Sequence, residues 1–276
     1  MGKHVSLTRR RFTIRALLLG GLGFVSELVC PHAAGAASPA TQRQGPGQMR
    51  QPSGQMQQSP SGTTAPIRAD WPVWLAAAKQ GTQVAVTQWA SQARLTGVLV
   101  NGPTATGGHL SGPDLGGPIR NAMREAGMPD NAAWHFGQGV NAAWKSWADT
   151  VKVPGLPWYP AFAALPSPLA PPTPNVPSPV RALAQDLGKM SPGAIAGQIK
   201  GALGSAREWP GASAIDGWAS GFSAAFMHWT TSCMVRRVMG TGVIPTFAPP
   251  YVPVGPVVNG NANQEAGGMG CPFQWR

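Results

Sequence analysis

Downstream of residue 100, chemistry could be built from two cysteines, three histidines, one serine in a loose G-x-S-x-G setting and eight carboxylates. Cys233 and Cys271 form an even pair, with no C-x-x-C and no histidine at ligand spacing nearby. That pattern favours a disulfide over a metal site, provided the chain works in an oxidising compartment. His109, His135 and His228 are isolated from one another along the chain. Ser223 lies in Gly221-Phe-Ser-Ala-Ala225, a loose relative of the G-x-S-x-G elbow. It falls inside a helical pattern, whereas a nucleophile of that type needs a strand-to-helix turn. The carboxylates Asp114, Glu125, Asp130, Asp149, Asp186, Glu208, Asp216 and Glu265 show no local pairing suited to acid/base work, and Asp130 reads as a helix N-cap. No catalytic, cofactor-binding or metal-ligating residue is assigned, and the chain reads as non-catalytic.

The elements that carry these residues begin after an export signal. Thr8-Arg9-Arg10-Arg11-Phe12 has the twin-arginine arrangement, with Arg9, Arg10 and Phe12 as its defining residues. A mildly apolar stretch from Ala16 to Val29 follows, broken by glycines and Glu27, and Ala34-Gly35-Ala36 supplies an A-x-A cleavage site at Ala34 and Ala36. The apolar stretch is shorter than the roughly 20 residues of a spanning helix. Leu28-Val29 ahead of Cys30 argues against a lipoprotein signal. Residues 1–36 are therefore expected to be a signal peptide, the compartment periplasmic or extracellular, and the twin-arginine export machinery a partner.

Residues 37–67 hold seven glutamines among Pro, Ser and Gly and read as a disordered linker. Past the signal the net charge falls from +11 to +7, thinly spread, with only Arg236-Arg237 adjacent. Nucleic-acid binders cluster their cations, so nucleic acid is excluded as a partner.

Residues 68–276 read as one mainly α domain. Asp70-Trp71-Pro72 opens a helix that continues to about Arg94. Leu95–Val100 is a short strand or a helix end, and residues 101–117 read as a Gly-rich surface loop. An internal repeat organises the remainder. Phe136–Trp147 aligns with Trp218–Trp229 at an offset of 82, with Gly139/Gly221, Ala142/Ala224, Ala143/Ala225 and Trp147/Trp229 identical. Phe136, Trp144 and Trp147 in one copy, and Trp218, Phe226 and Trp229 in the other, fall on a single helical face. Upstream, residues 117–127 and 193–204 align at an offset of 76, matching Ile119 to Ile195 and Met123 to Ile199. Downstream, Val153–Val180 contains ten prolines and Gly242–Val258 five, predicting extended, polyproline-like arms. The repeats then span about 117–180 and 193–258. The two long helices are expected to pack on each other or on equivalent partners, related by approximate two-fold symmetry, with the Gly139/Ala142 and Gly221/Ala224 patches at close helix contacts.

Three function classes fit. The first is an exported, non-catalytic structural or assembly protein of the cell envelope, or of a surface, secretion or conjugation apparatus, that self-associates or binds an envelope protein. The second is a periplasmic metal or cofactor enzyme drawing ligands from distant histidines. The third is a glycan- or peptidoglycan-binding module contacting the cell wall through exposed tryptophans, with Trp158 and Trp209 as platforms. The duplication and the dearth of convergent polar groups favour the first.

Overall fold

In the computed structural model, residues 70–159, 168–204, 211–245 and 256–275 are described. The signal residues Arg9, Arg10, Phe12, Ala34 and Ala36, the linker, Trp209 and Glu208 lie outside them.

Helix α1 (Trp71–Gln92) starts with Pro72 in its first turn, where a missing N–H costs no hydrogen bond, and runs into strands β1 (Arg94–Asn101) and β2 (Thr104–Ser111). Helices α2 (Gly116–Glu125) and α3 (Asp130–Ala148) follow, then β3 (Val153–Pro157), β4 (Leu169–Pro174) and the two-residue β5 (Ser178–Pro179). Helices α4 (Pro192–Leu203) and α5 (Ala212–Ser232) lead into β6 (Met234–Val235), β7 (Val238–Val243) and β8 (Val258–Gln264). Strands β5 and β6 pair with each other, and the other six form one antiparallel sheet in the order β3-β2-β1-β8-β7-β4.

The mainly α expectation is therefore wrong: the fold is mixed, with five helices and a six-stranded antiparallel sheet. Three segments account for the difference. The first proline arm supplies β3 and β4, which are the two edges of the sheet, where a proline need not donate to a ladder. The presumed Gly-rich loop is β2, whose Gly107 and Gly108 take φ of +74° and +87° inside the strand. A Cβ at Gly108 would lie 2.8 Å from Val98 of the neighbouring strand. The Gly/Asn-rich tail contains β8, a central strand. Its Gln264 is buried, accepting from the Leu95 N–H and donating to the Arg236 carbonyl at 3.0 Å each.

The long helices are three in number and share one pattern. Gly81, Gly139 and Gly221 each precede a tryptophan by eight residues (Trp89, Trp147, Trp229), and a small or apolar residue follows four later (Ala93, Val151, Cys233). The tryptophans and the residues after them are buried in all three helices. A hairpin's worth of strand follows each helix: β1–β2 after α1, β3–β4 after α3, and β7–β8 after α5. A long helix followed by strand thus occurs three times among the described residues. The two sheet edges belong to the same middle unit and are drawn together next to Trp158 and Tyr159. The Val176 N–H donates to the Trp158 carbonyl at 3.0 Å, and the Tyr159 hydroxyl donates to the Val238 carbonyl at 2.8 Å.

Short helices lie across the long ones at the glycines. A Cβ on Gly81 would fall 2.9 Å from the Ile119 Cα of α2, and one on Gly139 would fall 2.5 Å from the Ile199 Cα of α4. Ile119 therefore corresponds to Ile199, not to Ile195, so the short helices align at an offset of 80. The buried sets then coincide, Leu115, Ile119 and Met123 with Ile195, Ile199 and Leu203. The offset of 76 was one helical turn out, an error that the 3.6-residue period invites.

Candidate functional site

The centre of the molecule is an aromatic cluster where the three long helices converge. Ring centroids of Trp89, Trp147 and Trp229 stand 6.1–6.4 Å apart, and Trp144 sits among them at 5.1, 4.9 and 5.5 Å. Phe226 packs 4.9 Å from Trp147. Most of these contacts are edge-to-face, the geometry that opposes a positive ring edge to a negative face. The Trp147 indole donates to Gln185 at 2.9 Å, whereas Nε1 of Trp144 and of Trp229 is buried without a hydrogen-bond partner.

A second cluster adjoins the first: Trp218 stands 5.2 Å from Phe136, 5.3 Å from Phe222 and 5.3 Å from Trp275. The aromatic residues of the two aligned helices thus meet in the core. Of the two glycine patches expected at close helix contacts, Gly139 lies at one, against α4, whereas a Cβ on Gly221 would meet the Trp275 ring at 3.1 Å.

Cys233 and Cys271 are joined in a disulfide with their Cα atoms 5.6 Å apart. The bridge anchors a strap, Cys271–Trp275, that runs between α5 and α1. Phe273 is fully buried, and its N–H donates to the Thr87 hydroxyl at 3.0 Å. Lys79 of α1 lies 5.5 Å over the Trp275 ring. Beside the end of α5 a surface-open pocket of about 250 Å³ is lined by His228, Trp229, Ser232, Cys271, Pro272 and Gln274.

Most of the remaining polar groups are engaged in holding the fold. Ser223 donates to the Met190 carbonyl at 2.7 Å, a structural bond unlike that of a nucleophile. Asp114 accepts from the Gly116 and Gly117 N–H groups at the start of α2, and Asp186 accepts from the Gly188 N–H. Asp130 is the first residue of α3, with Pro129 as its N-cap, and carries no capping bond. It pairs instead with Arg120 at 2.6 Å and Arg124 at 3.4 Å, and the Arg120 hydrogen bond holds its carboxyl below the usual carboxylate range. Lys145–Asp149, Lys200–Asp216 and Arg237–Glu265 complete the ion pairs of the described residues. His109, His135 and His228 stay apart on β2, α3 and α5, and no group of three or more potential metal ligands occurs among the described residues.

A cleft of about 230 Å³ opens between the end of β2 and α3, lined in part by Trp89, His109, Asp114, Asn141, Trp144 and Lys145. It lies below the roughly 300–1,000 Å³ of sites that bury a drug-sized ligand. The sequence does not reveal it, because part of the lining comes from β2, whose glycines read as a loop. The proposed stacking platform Trp158 is only 1% exposed and donates to Ser178. Among the described residues the exposed tryptophan is Trp134, at 44%. No helix of the described residues is long and apolar enough to cross a membrane. Compared with protein families, curated proteins and solved structures, the chain matches none.

Proposed function

We propose that this is an exported, non-catalytic structural or assembly protein of the cell envelope. The observation that carries the reading is the use made of polar side chains. The serine that resembled a nucleophile and most of the described carboxylates serve as helix-end acceptors, ion-pair partners or core hydrogen bonds. The molecule's largest investment is an aromatic core tied by a disulfide, which suits a rigid part more than a reacting site. Burial of Trp158 weakens the glycan reading, which depended on it as a platform. Export rests on Arg9, Arg10, Phe12 and the Ala34/Ala36 cleavage site.

Fractionation followed by chemical cross-linking in intact cells tests the proposal. The mature chain is expected outside the cytoplasm and in a cross-linked species larger than itself. Recovery as an uncomplexed monomer carrying a stoichiometric metal or chromophore would replace this reading with the enzyme alternative.

A further inference from the structure

The two sulfurs of the bridge differ in their access to solvent. Cys233, at the end of α5, is fully buried, whereas Cys271 is half-buried. Cys271 lines two surface-open pockets. One is the pocket of about 250 Å³ beside His228, and the other, of about 120 Å³, it shares with Ser232, Arg236 and Gly268. Cys233 lines neither. Thiol–disulfide exchange requires a clear approach to the reacting sulfur. An external sulfur can therefore meet Cys271 and cannot meet Cys233.

Bonds other than the bridge hold both residues in place. The Cys233 N–H donates to the Trp229 carbonyl, and its own carbonyl accepts from the Val180 N–H, both at 2.8 Å. The chain around Cys271 is fixed three residues before it and two after it. There the Arg236 N–H donates to the Gly268 carbonyl at 2.8 Å, and the Phe273 N–H donates to the Thr87 hydroxyl at 3.0 Å. The Phe273 ring is fully buried. The Met269 carbonyl oxygen lies 2.9 Å from Cys271 Sγ and 3.5 Å from Cys233 Sγ, an acceptor for the S–H of either residue once reduced. The disulfide is thus a local closure on a frame that the rest of the fold builds.

We propose that Cys271 is the entry site for a small disulfide oxidant, of the size of a short cysteine peptide on each side, and that the bridge is made on the folded chain. The Cys271 thiol gives its proton to solvent and the thiolate attacks one sulfur of the oxidant. The oxidant's S–S bond breaks, a mixed disulfide forms at Cys271, and the first oxidant thiolate leaves and takes up a proton. Cys233, deprotonated in turn, attacks Cys271 Sγ; the Cys233–Cys271 bond forms and the second oxidant thiolate leaves and is protonated. Two cysteine thiols are oxidised and one external disulfide is reduced to two thiols. Cys233 is the resolving residue because no oxidant reaches it. Burial and the carbonyl end of α5 both disfavour a negative charge there, so Cys233 is a poor leaving group and the closed bridge resists reduction through Cys271. This order of folding before oxidation goes beyond the envelope reading and holds in whichever compartment supplies the oxidant.

The full chain with Cys30→Ser, reduced by a phosphine, is the starting material, and oxidised glutathione is the probe. The reduced chain is expected to keep the near-UV circular dichroism of the oxidised one and to close its bridge without urea. A pulse of iodoacetamide at less than one equivalent, followed by peptide mapping, should label Cys271 ahead of Cys233. Adding Cys233→Ser should trap the glutathione adduct on Cys271. With Cys271→Ser instead, the remaining Cys233 should react at least about tenfold more slowly in buffer, and the two rates should converge in urea. The proposal is overturned if the reduced chain loses its near-UV spectrum, if closure needs urea, or if the pulse labels Cys233 first. Equal native reactivity in two single-cysteine variants that both keep the near-UV spectrum would also overturn it. Should either variant unfold, the iodoacetamide map of the reduced chain, in which both bridge cysteines are present, decides. Cytoplasmic retention in the fractionation experiment would sink the envelope reading and leave this one standing.

Discussion

Glycine is the residue on which this fold turns, and its positions separate into two kinds. Gly81 and Gly139 sit where another helix's backbone arrives, whereas Gly197 in α4 is exposed and a Cβ there would meet nothing within 4 Å. Overpacking a tight contact costs about 1–3 kcal/mol or more. Gly139→Leu should therefore lower the unfolding free energy measured by urea titration by about 1–3 kcal/mol or more, and Gly81→Leu should do likewise. Gly197→Ala should leave stability unchanged or raise it by up to ~1 kcal/mol, because it removes backbone entropy from the unfolded chain. A Gly139→Leu variant as stable as the parent would mean that α4 does not cross α3 there. Tyr159 makes a second residue-scale prediction. Burial raises the pKa of its phenol, so the folded protein holds it neutral past the pH of about 10 at which an unfolded chain would ionise it. Its stabilising contribution is complete below pH ~10 and declines as pH rises beyond that value. Tyr159→Phe should cost about 0.5–1.5 kcal/mol at pH 7 through loss of the Val238 hydrogen bond. The variant should also show a shallower loss of stability between pH 10 and 12 in urea titrations, and an unchanged slope there would count against the buried phenol.

At the scale of elements, the helices were legible in the sequence and the strands were not, for a physical reason. Helices α3 and α5 bury wide aromatic stripes, and an apolar period of 3.6 survives even among glycines and alanines. Strands β2 and β8 read Thr-Ala-Thr-Gly-Gly-His-Leu-Ser and Val-Asn-Gly-Asn-Ala-Asn-Gln. Apart from Leu110 of β2, their buried positions are small or polar (Ala105, Gly260, Ala262 and Gln264), so period-2 alternation in hydrophobicity is faint. Strands β3 and β4 were hidden by prolines that an edge tolerates. The third copy of the long helix is faint in the sequence because α1 places Ala78 and Val86 where both other helices place aromatics, leaving Gly81, Ala85 and Trp89 as the shared signal. The cleft beside His109 was out of reach for the same reason as β2. The cysteine pair was legible from number and compartment alone, and it makes the prediction at this scale. Cys233 and Cys271 are 38 residues apart in sequence and join the end of α5 to the strap beyond β8. Removing a native disulfide from a small exported domain typically costs 2–5 kcal/mol. Cys233→Ala with Cys271→Ala should lose stability in that range in urea. Alkylation of the mature parent should label no thiol before reduction and two afterwards; label incorporated before reduction would show that the bridge is absent from the protein.

At the scale of the molecule, the sequence and the fold make one joint demand on the cell. The core joins residues from Trp71 to Phe273, so it closes only when nearly the whole of the described chain has been made. Its sheet places β1 beside β8, strands about 160 residues apart in sequence that pair through Val98, Leu99 and Val100. Non-local pairing of this kind delays folding, because loop closure must precede the contacts that reward it. A chain threaded unfolded through a general secretion pore would have to form these contacts, and its disulfide, on the far side. A chain carried by the twin-arginine route forms the sheet first in the cytoplasm and crosses folded. The arginine pair therefore makes a prediction beyond location. Replacing Arg9 and Arg10 together with Lys should leave uncleaved precursor in the cytoplasm, and that precursor should already resist mild proteolysis over residues 70–275. Disabling the general secretion route should leave export of the parent unaffected. Export that survives the double replacement, or a retained precursor that is fully protease-sensitive, would break the link between this signal and a core assembled from both ends of the chain.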